Sequence, residues 1–233
     1  MSVVTIDIFL ESAYTDRVIA NVHATSYWLV NYIIFDPNLK RAIIEETSPA
    51  FKDGTYNVAH VFKNCPLLES AFREVLRLYL TGYSARHITS RTVIGDKVFQ
   101  PGNNILFPLR ILNHLEPVWG NNHHEFDATR FLKDKSLANH AVFRPFGGGN
   151  KLCPGKAYAQ RMVLSYVAYL LHVLDIEVPT IEGKKQMVPP LQDNTLIFGV
   201  SVPKQGMDPI VELKLSENAP IETIDGSGVP VEL

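Results

Sequence analysis

Cys153 stands in the segment Phe146-Gly147-Gly148-Gly149-Asn150-Lys151-Leu152-Cys153-Pro154-Gly155, the part of this 233-residue sequence richest in groups that could do chemistry. Three consecutive glycines let the backbone adopt positive φ and approach a flat object closely. The cysteine falls just ahead of an apolar stretch with helical spacing. At a helix start, unpaired N–H groups and the dipole favour a sulfur anion, and Lys151 adds positive charge nearby. A thiolate on a tight turn, with an aromatic side chain seven residues earlier, could ligate a metal or act as a nucleophile. A phosphate loop fits less well: Gly149 and Gly155 are one residue too far apart for GxxxxGK[ST], and Ala157 replaces the hydroxyl residue. A cysteine-phosphatase loop would carry arginine six residues after the cysteine, where Ala159 stands. An inert buried cysteine beside a turn is the plain alternative, and the spacing of Phe146 and the glycines argues against it.

That spacing resembles FxxGxxxCxG, the heme-binding loop of the cytochrome P-450 family, at all four fixed positions: Phe146, Gly149, Cys153 and Gly155. The resemblance implies the C-terminal, heme-binding part of a mainly α fold with small β-sheets. It implies heme b (iron protoporphyrin IX) as cofactor, with Cys153 as the axial iron ligand pushing electron density toward bound oxygen. In the family a basic residue two before the cysteine meets a heme propionate; Lys151 keeps the charge without the planar fork.

Two further segments resemble the family in order and distance. Glu74-Val75-Leu76-Arg77 is an ExxR, which alone is an ordinary i, i+3 ion pair on a helix. Phe126-Asp127-Ala128-Thr129-Arg130-Phe131 supplies a second arginine in an FxPxRF-like setting, with Ala128 and Thr129 replacing the usual Pro and Glu. The resemblance implies a buried structural triad of Glu74, Arg77 and Arg130 locking the loop beneath the heme. Arg86 resembles the family arginine that binds a heme propionate; a surface arginine is the other reading. On the oxygen side, Ala20-Asn21-Val22-His23-Ala24-Thr25 stands where AGx[DE]T is usual. Thr25 arrives one position late, about 100° around a helix, so only a bulge would restore its place. The stretch Asn21 to Trp28 resembles the sterol-hydroxylase and prostacyclin-synthase branch, in which Asn21 would be the polar group facing iron, with Thr25 beside it. His23 reads equally as a packed helix histidine, and His123-His124 as a solvated pair.

The elements that must position these residues are mostly helical. Residues from about Val3 to Phe35 read as one long helix. Asp36-Pro37 opens a second, ending near Ser48-Pro49, and a polar stretch from Phe51 to Lys63 follows. A third helix runs from Cys65-Pro66 to about Tyr79, with Leu68, Phe72, Val75 and Leu76 at helical spacing. Ile88, Val93-Ile94, Val98-Phe99 and Ile105-Leu106-Phe107 are β-prone pieces, with Gly95-Asp96 and Pro101-Gly102 as turns between them. The region from Asn113 to Glu125 is irregular. After the glycine loop, a buried helix ends near Leu174; its apolar run, Met162 to Leu174, is shorter than the roughly 20 residues of a spanning helix. Thr195 to Val202 and Ile210 to Leu215 read as strands. The resemblance implies that residues 1–215 are the heme-binding portion of one domain, and 216–233 are expected to be an acidic, loose tail.

Composition narrows the function. A net charge of −2 gives no basic excess for nucleic acid. Two cysteines, Cys65 and Cys153, make no disulfide framework and no paired CxxC zinc site. No secretory signal is expected in Met1 to Leu10, which holds Asp7 and no basic start. The resemblance implies a monooxygenase that inserts one oxygen atom from O2 into an apolar small molecule (a sterol, terpenoid or secondary metabolite), with electrons from an NADPH-dependent reductase. The basic residues around the loop (Lys133, Lys135, Arg144, Lys151, Lys156) suit docking of an acidic electron donor or form a solvated rim. If eukaryotic, the intact enzyme would sit at the endoplasmic reticulum membrane, through an N-terminal anchor not expected within this chain. Alternatives are a heme-thiolate isomerase or dehydratase needing no reductase, or a truncated remnant without activity. Family members are longer, so helices here are expected to expose apolar faces meant for partners.

Overall fold

The computed structural model describes residues 2–5, 17–52, 55–189, 199–217 and 219. In chain order its elements are β1 (Ser2–Thr5), α1 (Arg17–Phe35), α2 (Pro37–Thr47), β2 (Phe51–Lys52), β3 (Thr55–Tyr56), α3 (Val58–Asn64), α4 (Pro66–Tyr79), β4 (Leu80–Thr81), β5 (Tyr83–His87), β6 (Thr92–Ile94), β7 (Lys97–Phe99), β8 (Asn104–Pro108), α5 (Leu109–Leu112), α6 (Glu116–Trp119), α7 (Arg130–Lys133), α8 (Lys156–Val173), β9 (Leu174–Glu177), β10 (Gly199–Val200) and β11 (Ile210–Leu215). Every described strand pairing is antiparallel. The fold is mainly α with small sheets, as the sequence implied.

The core is built where α1, α4 and α8 meet. Trp28, Leu29 and Ile33 of α1, Leu68 and Val75 of α4, and Leu164 and Val167 of α8 are fully buried. Trp28 stacks on Tyr79 with ring centroids 3.9 Å apart. Its indole N–H, a donor that burial would otherwise strand, reaches the Ser201 carbonyl at 2.7 Å. The Asp36 carboxylate accepts from the N–H groups of Asn38 and Leu39, with Pro37 at the first helical position, so α2 begins where the sequence put it. Glu46 plays a similar part for α4, accepting from Leu67 and Leu68 at 2.7 and 2.9 Å.

One expectation requires correction. The first helix does not run from Val3: Ser2–Thr5 is a strand paired with β11, and α1 starts at Arg17, with 6–16 outside the described residues. Val3, Val4 and Thr5 are β-branched and suit a strand, whereas residues 17–35 carry the helical pattern. The polar stretch after Phe51, given no element by the sequence, has regular structure. It holds the β2–β3 pairing and α3, whose first turn is capped by the Asn57 side chain accepting from His60 N–H.

β9 continues from α8 with no intervening residue and pairs with β11. Of the strand expected at Thr195 to Val202, residues 195–198 lie outside the described residues, and Gly199–Val200 form β10 against β4. Ser216 is tied to the end of α8 by its N–H to the Val173 carbonyl; most of the expected tail lies outside the described residues. α8 is buried on one side only. Tyr158, Met162, Tyr166 and Tyr169 are exposed along the other, the kind of uncovered apolar face the sequence led us to expect. Among the described residues no helix is long and apolar enough to cross a membrane.

Candidate functional site

The site residues fall into three groups. The first is the glycine loop. Its turn is closed by Cys153 N–H to the Phe146 carbonyl at 2.8 Å and Gly147 N–H to the Arg144 carbonyl at 3.1 Å. Gly147 has φ +75°, and a Cβ there would stand 2.7 Å from the Lys151 carbonyl oxygen, so a side chain would break the turn. Gly149 opens a single tight turn that ends at Lys151, and Gly155 directly precedes α8. Cys153 is exposed whereas Cys65 is buried. Lys151 is exposed, and the Lys156 ammonium lies 5.9 Å from the centroid of the Phe146 ring. Arg86 on β5 is exposed, donates to Ser84 Oγ and the Ala85 carbonyl, and reaches the Gly148 carbonyl at 3.4 Å. The structure therefore brings Arg86 to the same loop as Phe146, Gly149, Lys151, Cys153 and Gly155.

The second group is a charged knot behind that loop. Glu74 and Arg77 are wholly buried and Arg130 is 7% exposed. Glu74 Oε1 accepts from Arg77 at 2.7 Å, Arg130 Nε at 2.9 Å and the Asp127 N–H at 3.1 Å, while Oε2 accepts from Arg77 Nε at 2.8 Å. The remaining arginine hydrogens go to main-chain carbonyls: Arg77 to Asn113, His123 and Glu125, Arg130 to Trp119, Asn122 and Glu125, with the Asn122 side chain as well. The segment from Asn113 to Arg130 has little regular structure, so these guanidinium donors do for its backbone what a sheet would do elsewhere. Trp119 belongs to this knot and was missed from the sequence. The Arg77 guanidinium lies 5.2 Å from the centroid of its ring.

His114 packs beside the knot. Its Nδ1 donates to the Arg110 carbonyl, and its own carbonyl accepts from His123 Nδ1 at 2.6 Å. Burial holds the His114 imidazole below its ordinary 6.5, the Arg77, His124 and Arg110 charges acting the same way and the bond to Arg110 opposing them. The unfolded chain takes up this proton near 6.5 while the folded chain resists, so stability falls as pH drops below that value and is unaffected well above it. His114→Gln is therefore expected to reduce the loss of urea midpoint between neutral and mildly acidic solution. A midpoint–pH profile identical to the parent would remove His114 from the account.

The third group lies on α1. Thr25 is buried and its hydroxyl donates back to the Asn21 carbonyl at 2.6 Å, the usual i−4 bond of a helical threonine. Asn21 is half-buried and its Oδ1 accepts from the Val200 N–H of β10 at 2.9 Å. His23 is exposed rather than packed.

The structure thus has an exposed sulfur on a glycine turn and a buried carboxylate–arginine knot. The family model for cytochrome P-450 matches residues 19–205. The cytochrome P-450 monooxygenase calL of Penicillium decumbens is 32% identical over 203 residues, 79% of this chain and 38% of that protein. The monooxygenase nodJ of Hypoxylon pulicicidum is 29% identical over 69% of this chain and 35% of its own length. A steroid 17-alpha-hydroxylase/17,20 lyase of Ictalurus punctatus is 30% identical over 65% of this chain and 30% of its own. The chain belongs to the cytochrome P-450 family and spans less than two fifths of the length of these relatives.

That family implies heme iron, and the residues present fit it. Among the described residues no group of three or more His, Cys, Asp or Glu side chains could hold a metal ion. The exposed sulfur of Cys153 is a donor that fits a metal whose other positions a macrocycle fills. At Gly149 an added Cβ would meet nothing within 4 Å, so the backbone there is open to a flat group, and the exposed Arg86 and Lys151 are cations that could meet its carboxylates.

Proposed function

We propose that the protein of which this chain forms the heme-binding part is a monooxygenase. It inserts one oxygen atom from O2 into an apolar small molecule, with electrons from an NADPH-dependent reductase. The observation that supports this reading is the exposed thiol of Cys153 on a turn where Gly147 has no room for a side chain. Heme b, when bound, supplies oxygen activation and electron storage. The chain's own residues do the rest. Cys153 ligates through sulfur, Phe146 packs beside the loop, and Arg86 and Lys151 hold the carboxylates of the cofactor. The Glu74–Arg77–Arg130 knot fixes the segment that leads into the loop.

Electron delivery is supported by the exposed cations Lys133, Lys135, Arg144, Lys151 and Lys156 around the loop. Beside it runs a cleft of about 230 Å³ lined by Arg73, Arg144, Phe146 and Lys156 among others. An acidic reductase surface would be steered there. A steroid-like substrate is in keeping with the name of the Ictalurus punctatus relative, and a terpenoid or secondary metabolite is the other candidate. The eukaryotic relatives suggest the endoplasmic reticulum membrane as the site of action.

The experiment is a reduced carbon monoxide spectrum of the heme-loaded protein, followed by turnover with isotope-labelled dioxygen. We expect the red-shifted Soret band of thiolate ligation, and label in the product only when NADPH and reductase are both present. A band typical of histidine ligation, or label drawn from water, overturns the proposal. Turnover of a hydroperoxide with neither NADPH nor reductase would also overturn it, in favour of the isomerase chemistry.

A further inference from the structure

α1 is fastened to the β4–β10 pair by a seam of hydrogen bonds, and Asn21 is its first member. A backbone N–H can only donate, so the Asn21 atom 2.9 Å from Val200 N is the carboxamide oxygen. Along the same seam the Thr81 hydroxyl donates to the Gly199 carbonyl and the Ser201 hydroxyl to Thr81 Oγ1. The Trp28 indole donates to the Ser201 carbonyl, and Ser201 N–H to the Tyr79 carbonyl. Gly199 is shaped to this contact. Its φ is +130°, and a Cβ built there would collide with the Asn21 carboxamide. The two residues are 178 positions apart in sequence, yet neither can change without disturbing the other.

We propose that Asn21 is a positioning residue: its carboxamide oxygen holds β10 at a fixed distance from α1, and it does not act on dioxygen or substrate. The site reading above would give Asn21 to the iron side of the pocket. The positioning role replaces that assignment and rests on the proposed function only for the consequences in turnover. Since α1 in that reading crosses the oxygen side of the cofactor, fixing β10 against it sets where one wall of the substrate space stands. Loss of the tie would then alter which substrate position is presented more than how fast oxygen is used.

Hydrogen exchange of the chain, with and without heme, tests the tie directly. Asn21→Leu keeps the bulk and removes the acceptor, so the Val200 amide should exchange roughly ten- to a hundred-fold faster. Asn21→Asp keeps an acceptor oxygen and should stay near the parent rate. Gly199→Ala should lower the urea midpoint more with Asn21 present than with Asn21→Ala, where the colliding carboxamide is gone. In turnover, Asn21→Leu should shift product distribution and KM while kcat changes little. Unchanged exchange at Val200, or Gly199→Ala effects that add independently of residue 21, overturns the positioning role. So does a kcat collapse with KM and products unchanged, which would make Asn21 act on the reacting atoms. The exchange and stability measurements need no cofactor, so their failure sinks this role alone. A spectrum without thiolate ligation sinks the functional reading and leaves the tie standing.

Discussion

Cys153→Ser in the heme-loaded protein is expected to abolish the thiolate Soret signature and to weaken heme retention. The weakening should exceed the roughly 10- to 100-fold seen when only a group behind a metal ligand is lost. An alcohol is a far poorer anion donor than a thiol. Cys65→Ser is the matched control. Cys65 is buried, its sulfur lying near the carbonyls of Glu46 and His60, and burial with the neighbouring Glu46 charge pushes its thiol up to about 11. It is therefore neutral and shielded at neutral pH, and a thiol-alkylating reagent should label Cys153 first in the heme-free chain. A Cys153→Ser protein with an unchanged reduced carbon monoxide spectrum would end the heme-thiolate reading. One whose spectrum moves only on replacing Cys65 would do the same.

The loop was legible because its chemistry is local. Glycines, an aromatic residue and a cysteine at fixed spacing specify a turn within ten residues of one another, and the turn forms through bonds such as Cys153 N–H to Phe146. α2 and α4 were legible for a similar reason. Asp36-Pro37 and Cys65-Pro66 mark their starts, and apolar spacing carries each to its end. β1 was not legible. Four residues rich in Val read as the head of the helix that follows until β11, more than 200 positions later, offers them an edge. β9 was hidden differently: Leu174-Asp175-Ile176-Glu177 alternates for only four residues, directly after a helix whose apolar run masks the change of period. Charged residues marked the knot, but its backbone partners left no trace. The carbonyls of Asn113, Trp119, Asn122, His123 and Glu125 accept arginine hydrogens, and a carbonyl is the same in every residue. Asn21 shows the limit most plainly. Its place in the helix pattern suggested a role toward oxygen, whereas its oxygen bonds to Val200, a partner no local pattern could reveal.

Arg77→Leu is expected to cost on the order of 3–5 kcal/mol, the range for breaking a buried ion pair from one side. The reason lies in the donor count as much as the charge. Arg77 has five N–H hydrogens, and the structure gives a bond to each: two to Glu74 and one each to the carbonyls of Asn113, His123 and Glu125. Leucine leaves those carbonyls without that donor, the buried Asn113 carbonyl above all, and leaves Glu74 with Arg130 and the Asp127 N–H alone. Domain stability is typically about 5–15 kcal/mol, so the variant should hold heme poorly and unfold at a markedly lower urea concentration. Arg77→Lys separates charge from geometry. Lysine keeps the cation but offers three donors at a single nitrogen in place of a planar fork. It should therefore recover only part of the loss. Glu74→Gln should be as damaging as Arg77→Leu, since two buried guanidinium groups then face each other with no carboxylate between them. If Arg77→Lys matches the parent in urea midpoint and heme retention, the carbonyl cage is not what holds the segment. If Glu74→Gln costs less than about 1 kcal/mol, the range of an exposed pair, then the knot is not the anchor of the loop.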